Sequence, residues 1–172
     1  MKKISITILI LFLFSCSSYQ YSESPAFGTD KVWALMPMKN HSATPLASEQ
    51  AEQILSSLLF DKGIALIQYP AIEQKDLASI LDDNYKTSKA QKWLKQQDVK
   101  YVITGAIQEW QYKSGLDGEP AVGISIRILD KNTNQTLWLA SGSRAGWGRE
   151  SLSATGQIVF DELLSSLNLQ SK

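Results

Sequence analysis

The sequence predicts an α+β domain in which helices cover a mixed β-sheet. Three strand-like runs follow one another across residues 99–143, and the clearest, residues 122–128, alternates β-branched residues with small or charged ones. A period of two is typical of a half-buried strand. Two stretches with helical spacing, 51–59 and 155–167, have apolar faces that require a sheet to cover. The predicted element order is β-α-β-α-α-β-β-β-α.

The first half of the domain contains two short, continuous apolar runs, residues 32–36 and 64–67, which predict buried strands. Between them, Pro45 suits the first turn of a helix and Gly63 suits its end. Two further helices are predicted near residues 77–81 and over residues 87–97.

The second half begins with an extended run at residues 101–113, whose alternation weakens at Glu109. Residues 130–134 are rich in side chains that tolerate tight turns, so the strands before and after them form a hairpin. A loop at residues 144–149 then precedes the last helix, whose apolar residues recur every four positions from Thr155.

The charge and residue composition exclude several functions. The 172 residues carry 17 basic and 17 acidic side chains, so no global field favours nucleic acid. His41 is the sole histidine and Cys16 the sole cysteine, so neither a metal cluster nor a Ser-His-Asp triad is visible. We therefore predict that the chain is not an enzyme and binds no cofactor.

The amino terminus is typical of a lipoprotein signal peptide over residues 1–15. Two lysines are followed by an apolar run, residues 4–14, and by Ser15 and Cys16. The run before Cys16 resembles a lipobox, which implies cleavage before Cys16 and acylation of that residue. The alternatives are an uncleaved transmembrane helix and a free buried thiol at Cys16. Eleven apolar residues are fewer than the about 20 that a transmembrane helix requires.

Residues 16–30 are rich in Ser, Tyr and Pro and lack apolar periodicity, so we predict an acylated cysteine followed by a flexible tether. The folded domain is then predicted over residues 31–172. Ser17, directly after the cysteine, favours sorting to the outer membrane, with the domain facing the periplasm.

The loop before the last helix places Trp147 between two glycines and close to Arg144 and Arg149. An exposed indole suits a membrane interface because its ring is apolar while its N–H still requires a polar partner. The two arginines can meet lipid phosphates. The alternative is an indole that folds back on its own domain.

Longer runs of the sequence resemble a known family, the CsgG-like periplasmic domains of outer-membrane lipoproteins. The similarity covers residues 33–38, 101–105 and the last helix, and the runs 112–123 and 146–153 are most similar to the Pel exopolysaccharide export lipoproteins. The resemblance implies a homo-oligomeric ring that helps a cationic exopolysaccharide pass through an outer-membrane porin. The alternative function is a lipoprotein activator of a peptidoglycan synthase or another envelope-assembly binding module with the same anchor and fold.

The resemblance also assigns positions within the ring. It implies that Trp147 lies on the membrane-facing side and Asp117 on the acidic, periplasm-facing side. Asp117 and Glu119 stand in an ordinary turn sequence, where a single pair of acids is solvated charge. Repeated in every copy of a ring, the same pair lines a pore that attracts cationic polymer.

Overall fold

The computed structural model describes residues 17–70, 82–114 and 118–171, so Cys16, Asp117 and the helix predicted near residues 77–81 lie outside the described residues. The described elements are, in chain order, β1 (Ser17–Tyr21), β2 (Ala26–Gly28), β3 (Val32–Leu35), β4 (Lys39–Asn40), α1 (Ala47–Asp61), β5 (Ala65–Gln68), α2 (Asp83–Leu94), β6 (Tyr101–Tyr112), β7 (Pro120–Asp130), β8 (Thr136–Ala145), α3 (Leu152–Ser165) and β9 (Asn168–Gln170).

The large sheet has seven strands in the order β1-β8-β7-β6-β3-β5, with β4 beside β6. Strands β6, β7, β8 and β1 are antiparallel neighbours, whereas β3 runs parallel to both β5 and β6. The mixed sheet and its covering helices confirm the predicted α+β class.

The strand with the clearest alternation, β7, lies in the middle of the sheet. Its β-branched residues Val122, Ile124, Ile126 and Ile128 are at most 1% exposed and face α1 and α3. The adjacent β6 contains a register shift between Ile107 and Glu109, where the sequence alternation also weakens. A bulge of this kind twists the strand and lets its two halves keep their apolar side chains in the core.

Helices α1 and α3 cover one face of the sheet. Gly63 follows α1 with a φ of 76°, a conformation that glycine adopts without steric cost. The Ser151 side chain caps α3 by accepting a hydrogen bond from the Ala154 N–H at 3.1 Å. None of the helices in the described ranges is long and apolar enough to cross a membrane.

Helix α2 covers part of the opposite face, where Ala90 packs with Ala34, Met36 and Val102. Beyond α2, this face carries small polar side chains on β1, β6 and β8. They line a shallow depression of about 310 Å³ on the sheet, and those exposed are Ser18, Gln20, Gln108, Ser141 and Ser143.

The prediction of a flexible tether over residues 16–30 is wrong for most of that segment. Ser17–Tyr21 forms the edge strand β1, paired with β8, and Ala26–Gly28 forms β2, paired with β9. Phe27 in β2 is fully buried against Trp33 and Tyr101. The folded domain therefore begins at Ser17 rather than at residue 31.

Candidate functional site

One end of the large sheet collects the segments that the sequence singled out. Strand β1 begins there with Ser17 opposite Arg144, β6 ends with Tyr112 opposite Pro120, and β8 ends at Ala145. We call this the anchor end, because Ser17 is bonded to the predicted lipidation site at residue 16. It comprises Ser17, the β6–β7 hairpin and the loop of residues 146–150.

The loop of residues 146–150 is fixed to the sheet at its first residue. The Gly146 N–H donates to the Pro120 carbonyl oxygen at 2.7 Å, and the Glu150 N–H donates to the Trp147 carbonyl oxygen at 2.8 Å. Between these bonds the Trp147 side chain is 53% exposed, and Arg149 is also exposed. The predicted exposure of Trp147 is confirmed, whereas its contact with a membrane stays a prediction.

Gly146 is required for space rather than for backbone conformation. A Cβ atom there would lie 2.6 Å from Glu150 Oε2, 2.8 Å from Thr155 Oγ1 and 2.9 Å from Pro120 Cγ. Its φ is not in the left-handed region, where only Gly63 and Gly118 among the described glycines are found. The close approach at Gly146 joins the loop to the hairpin and to α3.

Arg144 does not offer its charge to lipid phosphates as predicted. Its Nη2 donates to Glu150 Oε1 at 3.1 Å, and its side chain is 16% exposed. Thr155 Oγ1 donates to the other Glu150 oxygen at 3.2 Å. The alternation of β8 turns Arg144 towards the start of α3, so it positions the loop, and Arg149 is the exposed cation.

The β6–β7 hairpin lies beside this loop. The Lys113 N–H donates to the Glu119 carbonyl oxygen at 2.7 Å, and the side chains of Lys113 and Glu119 are exposed. Tyr112, which sequence reasoning missed, is 51% exposed, and its hydroxyl oxygen accepts from the Leu152 N–H at 3.3 Å.

This arrangement bears on the implied separation of membrane-facing and acidic residues. Glu119 precedes Pro120, whose carbonyl bonds to Gly146, so the acidic turn and the Trp147 loop leave the same end of the sheet. The acidic turn and the Trp147 loop therefore do not lie at opposite ends of the domain.

A second polar cluster lies between α1 and α2 and has no sequence motif. Burial raises the pKa of Glu52 to about 7, and the carboxylates of Glu49 and Asp83 act in the same direction. The Met38 N–H, which donates to Glu52 Oε1 at 2.7 Å, and Lys86 oppose the shift. Within residues 17–70, 82–114 and 118–171, no group of acids, histidines or cysteines is arranged to hold a metal ion.

Comparison with protein-family models and with curated protein sequences gives no match. Solved structures do match. The PelC dodecamer from Paraburkholderia phytofirmans is 31% identical, with a TM-score of 0.75 over 90% of this chain and 99% of that one. A single-substitution variant of that PelC, also a dodecamer, is 31% identical over 90% of this chain and 100% of its own, with a TM-score of 0.77. Lipoprotein GNA1162 from Neisseria meningitidis shares the fold, with a TM-score of 0.55 and 14% identity over 78% of this chain and 96% of that one.

Proposed function

Since the chain belongs to the PelC family, whose members are export lipoproteins and not enzymes, we propose that it is a ring-forming component of exopolysaccharide export. In this proposal the mature protein is acylated at Cys16 and anchored in the outer membrane. Its domain faces the periplasm and assists the passage of a cationic, Pel-type polymer through a partner porin.

The observation that carries the proposal is the match to PelC over nearly the whole length of both chains. Two PelC structures that share this fold and 31% of its residues are dodecamers. A closed assembly of identical subunits requires the same contact surfaces in every copy. Because the fold is shared from end to end, we infer that this chain also assembles as a homo-oligomeric ring.

The anchor end supports a position against the membrane. Trp147 is exposed there with Arg149, at the end of the sheet where β1 begins. An indole and a cation on one exposed loop match the polar boundary of a bilayer. Trp147 and Arg149 are the proposed contacts, while Arg144 holds the loop.

The acidic turn gives the ring its proposed action on the polymer. Glu119 is exposed at the anchor end, and Asp117 precedes it in the same turn. Copies of these carboxylates around a pore make the electrostatic potential there negative, which raises the local concentration of a cationic chain.

The alternative, an activator of a peptidoglycan synthase, requires the domain to reach far from the membrane. Strand β1 begins at Ser17, directly after the proposed acylated residue, and β2 follows at Ala26. Among the described residues, which begin at Ser17, no flexible segment long enough for that reach precedes the domain. The structure therefore favours work at the membrane surface.

The experiment that tests the proposal replaces the anchor. We expect Cys16→Ala to leave an unprocessed precursor or to release the domain from outer-membrane fractions, and to abolish polymer export. The same domain behind a cleavable signal without acylation is the control for periplasmic folding. A normal mature mass and normal fractionation of the Cys16→Ala protein would contradict the proposed lipid anchor at Cys16.

A further inference from the structure

We propose that β1 is a rigid mount that fixes the acylated residue to the anchor end, and that Tyr112 and Lys113 thereby contact phospholipid headgroups together with Trp147 and Arg149. The inference rests on the proposed acylation of Cys16. It adds a second aromatic contact and replaces a flexible tether with a fixed orientation of the domain.

The contacts of β1 hold it along its whole length. Each of its five residues is paired with one residue of β8, from Ser17 opposite Arg144 to Tyr21 opposite Ala140. Directly after β1, the Ser22 N–H donates to the Leu139 carbonyl oxygen at 2.8 Å, and the Leu139 N–H donates to Ser22 Oγ at 3.0 Å. The ladder therefore continues for one residue beyond the strand.

Side-chain packing adds to this ladder. The Tyr19 ring lies against Gly142, where a Cβ atom would be 2.5 Å from Tyr19 Cδ1 and 3.1 Å from Leu163 Cδ2. Glycine thus lets the ring approach the β8 backbone and reach α3. Burial raises the pKa of the Tyr19 hydroxyl, as is expected for a ring that is held against the domain. An edge strand fixed in this way does not behave as a linker.

The mount has a geometric consequence for the lipid. Consecutive Cα atoms are about 3.8 Å apart, so residue 16 lies within one residue of the point where Ser17 pairs with Arg144. That point is two residues from Gly146, where the loop begins. Acyl chains attached at residue 16 therefore enter the membrane next to the anchor end. Tyr21, four residues along the strand, is about 13 Å farther away.

The exposed side chains at the anchor end suit a headgroup layer. Trp147 and Tyr112 are 53% and 51% exposed, and each belongs to a segment that also carries an exposed cation, Arg149 or Lys113. Both rings combine an apolar body with a polar group, the combination that is enriched at membrane interfaces. The bond from the Leu152 N–H to the Tyr112 hydroxyl holds that ring over the start of α3.

In sequence, residues 113–119 carry Lys113, Asp117 and Glu119, and the neighbouring loop carries Arg149, so the formal charges of these two segments cancel. Electrostatic attraction to anionic lipid is therefore not the source of the contact. We expect the contact to form on zwitterionic vesicles and to change little with salt, because the two aromatic rings provide it.

The test places a single reactive cysteine in the full-length, acylated lipoprotein, in which the Cys16 thiol is blocked. A fluorophore on Lys113→Cys is compared with one on Thr133→Cys, an exposed site in the turn at the other end of β7. In phosphatidylethanolamine and phosphatidylcholine vesicles whose acyl chains carry a nitroxide quencher, we expect strong quenching at 113 and little at 133. Equal quenching at the two sites would overturn the proposal.

The rigidity of the mount is tested by an insertion of about six Gly and Ser residues after Ser17, which adds up to about 20 Å of slack. The matched control places the same insertion after Glu23, between β1 and β2, where it leaves β1 paired. We expect loss of quenching at 113 only for the insertion after Ser17. Retained quenching in that variant would overturn the mount.

Two further outcomes separate this inference from the function on which it rests. Removal of the ring by Tyr112→Ala should reduce quenching at 113, whereas Tyr85→Ala, which removes a tyrosine that is 40% exposed on α2, should not. An equal effect of the two variants would contradict the role of Tyr112. A mature protein without acyl chains, seen by mass spectrometry, would instead refute the proposed lipid anchor.

Discussion

Replacement of Trp147 by alanine tests whether this residue is a membrane contact or part of the core, because the two roles predict different losses in the free energy of unfolding. Removal of a completely buried tryptophan side chain costs about 3–5 kcal/mol. Trp147 is 53% exposed, so roughly half of that surface is already in water in the folded protein. We therefore expect Trp147→Ala to lower the free energy of unfolding by about 2 kcal/mol or less.

The assay is denaturant unfolding of the fragment of residues 17–172, which contains every described strand and helix. Trp138, which is 1% exposed in β8, provides the matched control, and Trp138→Ala should cost about 3–5 kcal/mol. In cells, full-length Trp147→Ala should lose export although the domain remains folded and abundant. A destabilisation equal to that of Trp138→Ala, or unchanged export, would refute the reasoning.

The remaining predictions concern charge, pH and space. Asp117→Asn should reduce polymer export without a change in protein abundance, and it should change the free energy of unfolding by under about 0.5 kcal/mol. The control is Asp61→Asn, which removes another exposed carboxylate. Equal export in the two variants would exclude a role for the charge at 117. Because the folded protein holds the pKa of Glu52 at about 7, above its usual 4.5, folded molecules bind more protons than unfolded ones between those values. The free energy of unfolding should therefore fall as pH rises through that window and level off above it. Glu52→Gln should abolish this fall, so that at pH 8 the variant is more stable than the wild type by about 3 kcal/mol at most. A variant whose stability changes with pH as the wild type does would contradict this. Gly146→Ala should destabilise the domain by about 1–3 kcal/mol because its Cβ has no room, whereas Gly148→Ala, at an exposed position of the same loop, should be tolerated; equal denaturation midpoints for the two alanine variants would show that the loop moves aside.

Periodicity was sufficient to predict the centre of the fold. Strand β7 and helix α3 each place four or more apolar side chains on one face, and both faces are buried as expected. The weak alternation at Glu109 marks the bulge in β6. These features are visible in the sequence because burial of a continuous face imposes a regular spacing.

Strand β1 could not be predicted in this way. Its residues are polar or aromatic, and four of the five are exposed, so no apolar pattern marks it. Its pairing depends on backbone groups of β8 and on space above Gly142, both of which are set by the rest of the fold. An edge strand with one packed ring has the same composition as a linker.

The candidate site shows the same division. Exposure of Trp147 follows from its place between two glycines, whereas the pairing of Arg144 with Glu150 depends on where α3 begins. Tyr112 has no motif, and its exposure at the anchor end is known only from the pairing of β6 with β7. Local composition predicts which loop is exposed, but the sheet decides which loops meet.

The central claim, that identical subunits form a ring at the outer membrane, is tested most directly by the mass of the native assembly. Acylated lipoprotein extracted from outer membranes in mild detergent is weighed by native mass spectrometry or by light scattering with the detergent subtracted. We predict one discrete closed oligomer, with the dodecamer of PelC as the reference stoichiometry. A protein that remains monomeric at every concentration, both in detergent and after reconstitution in vesicles, would contradict the account.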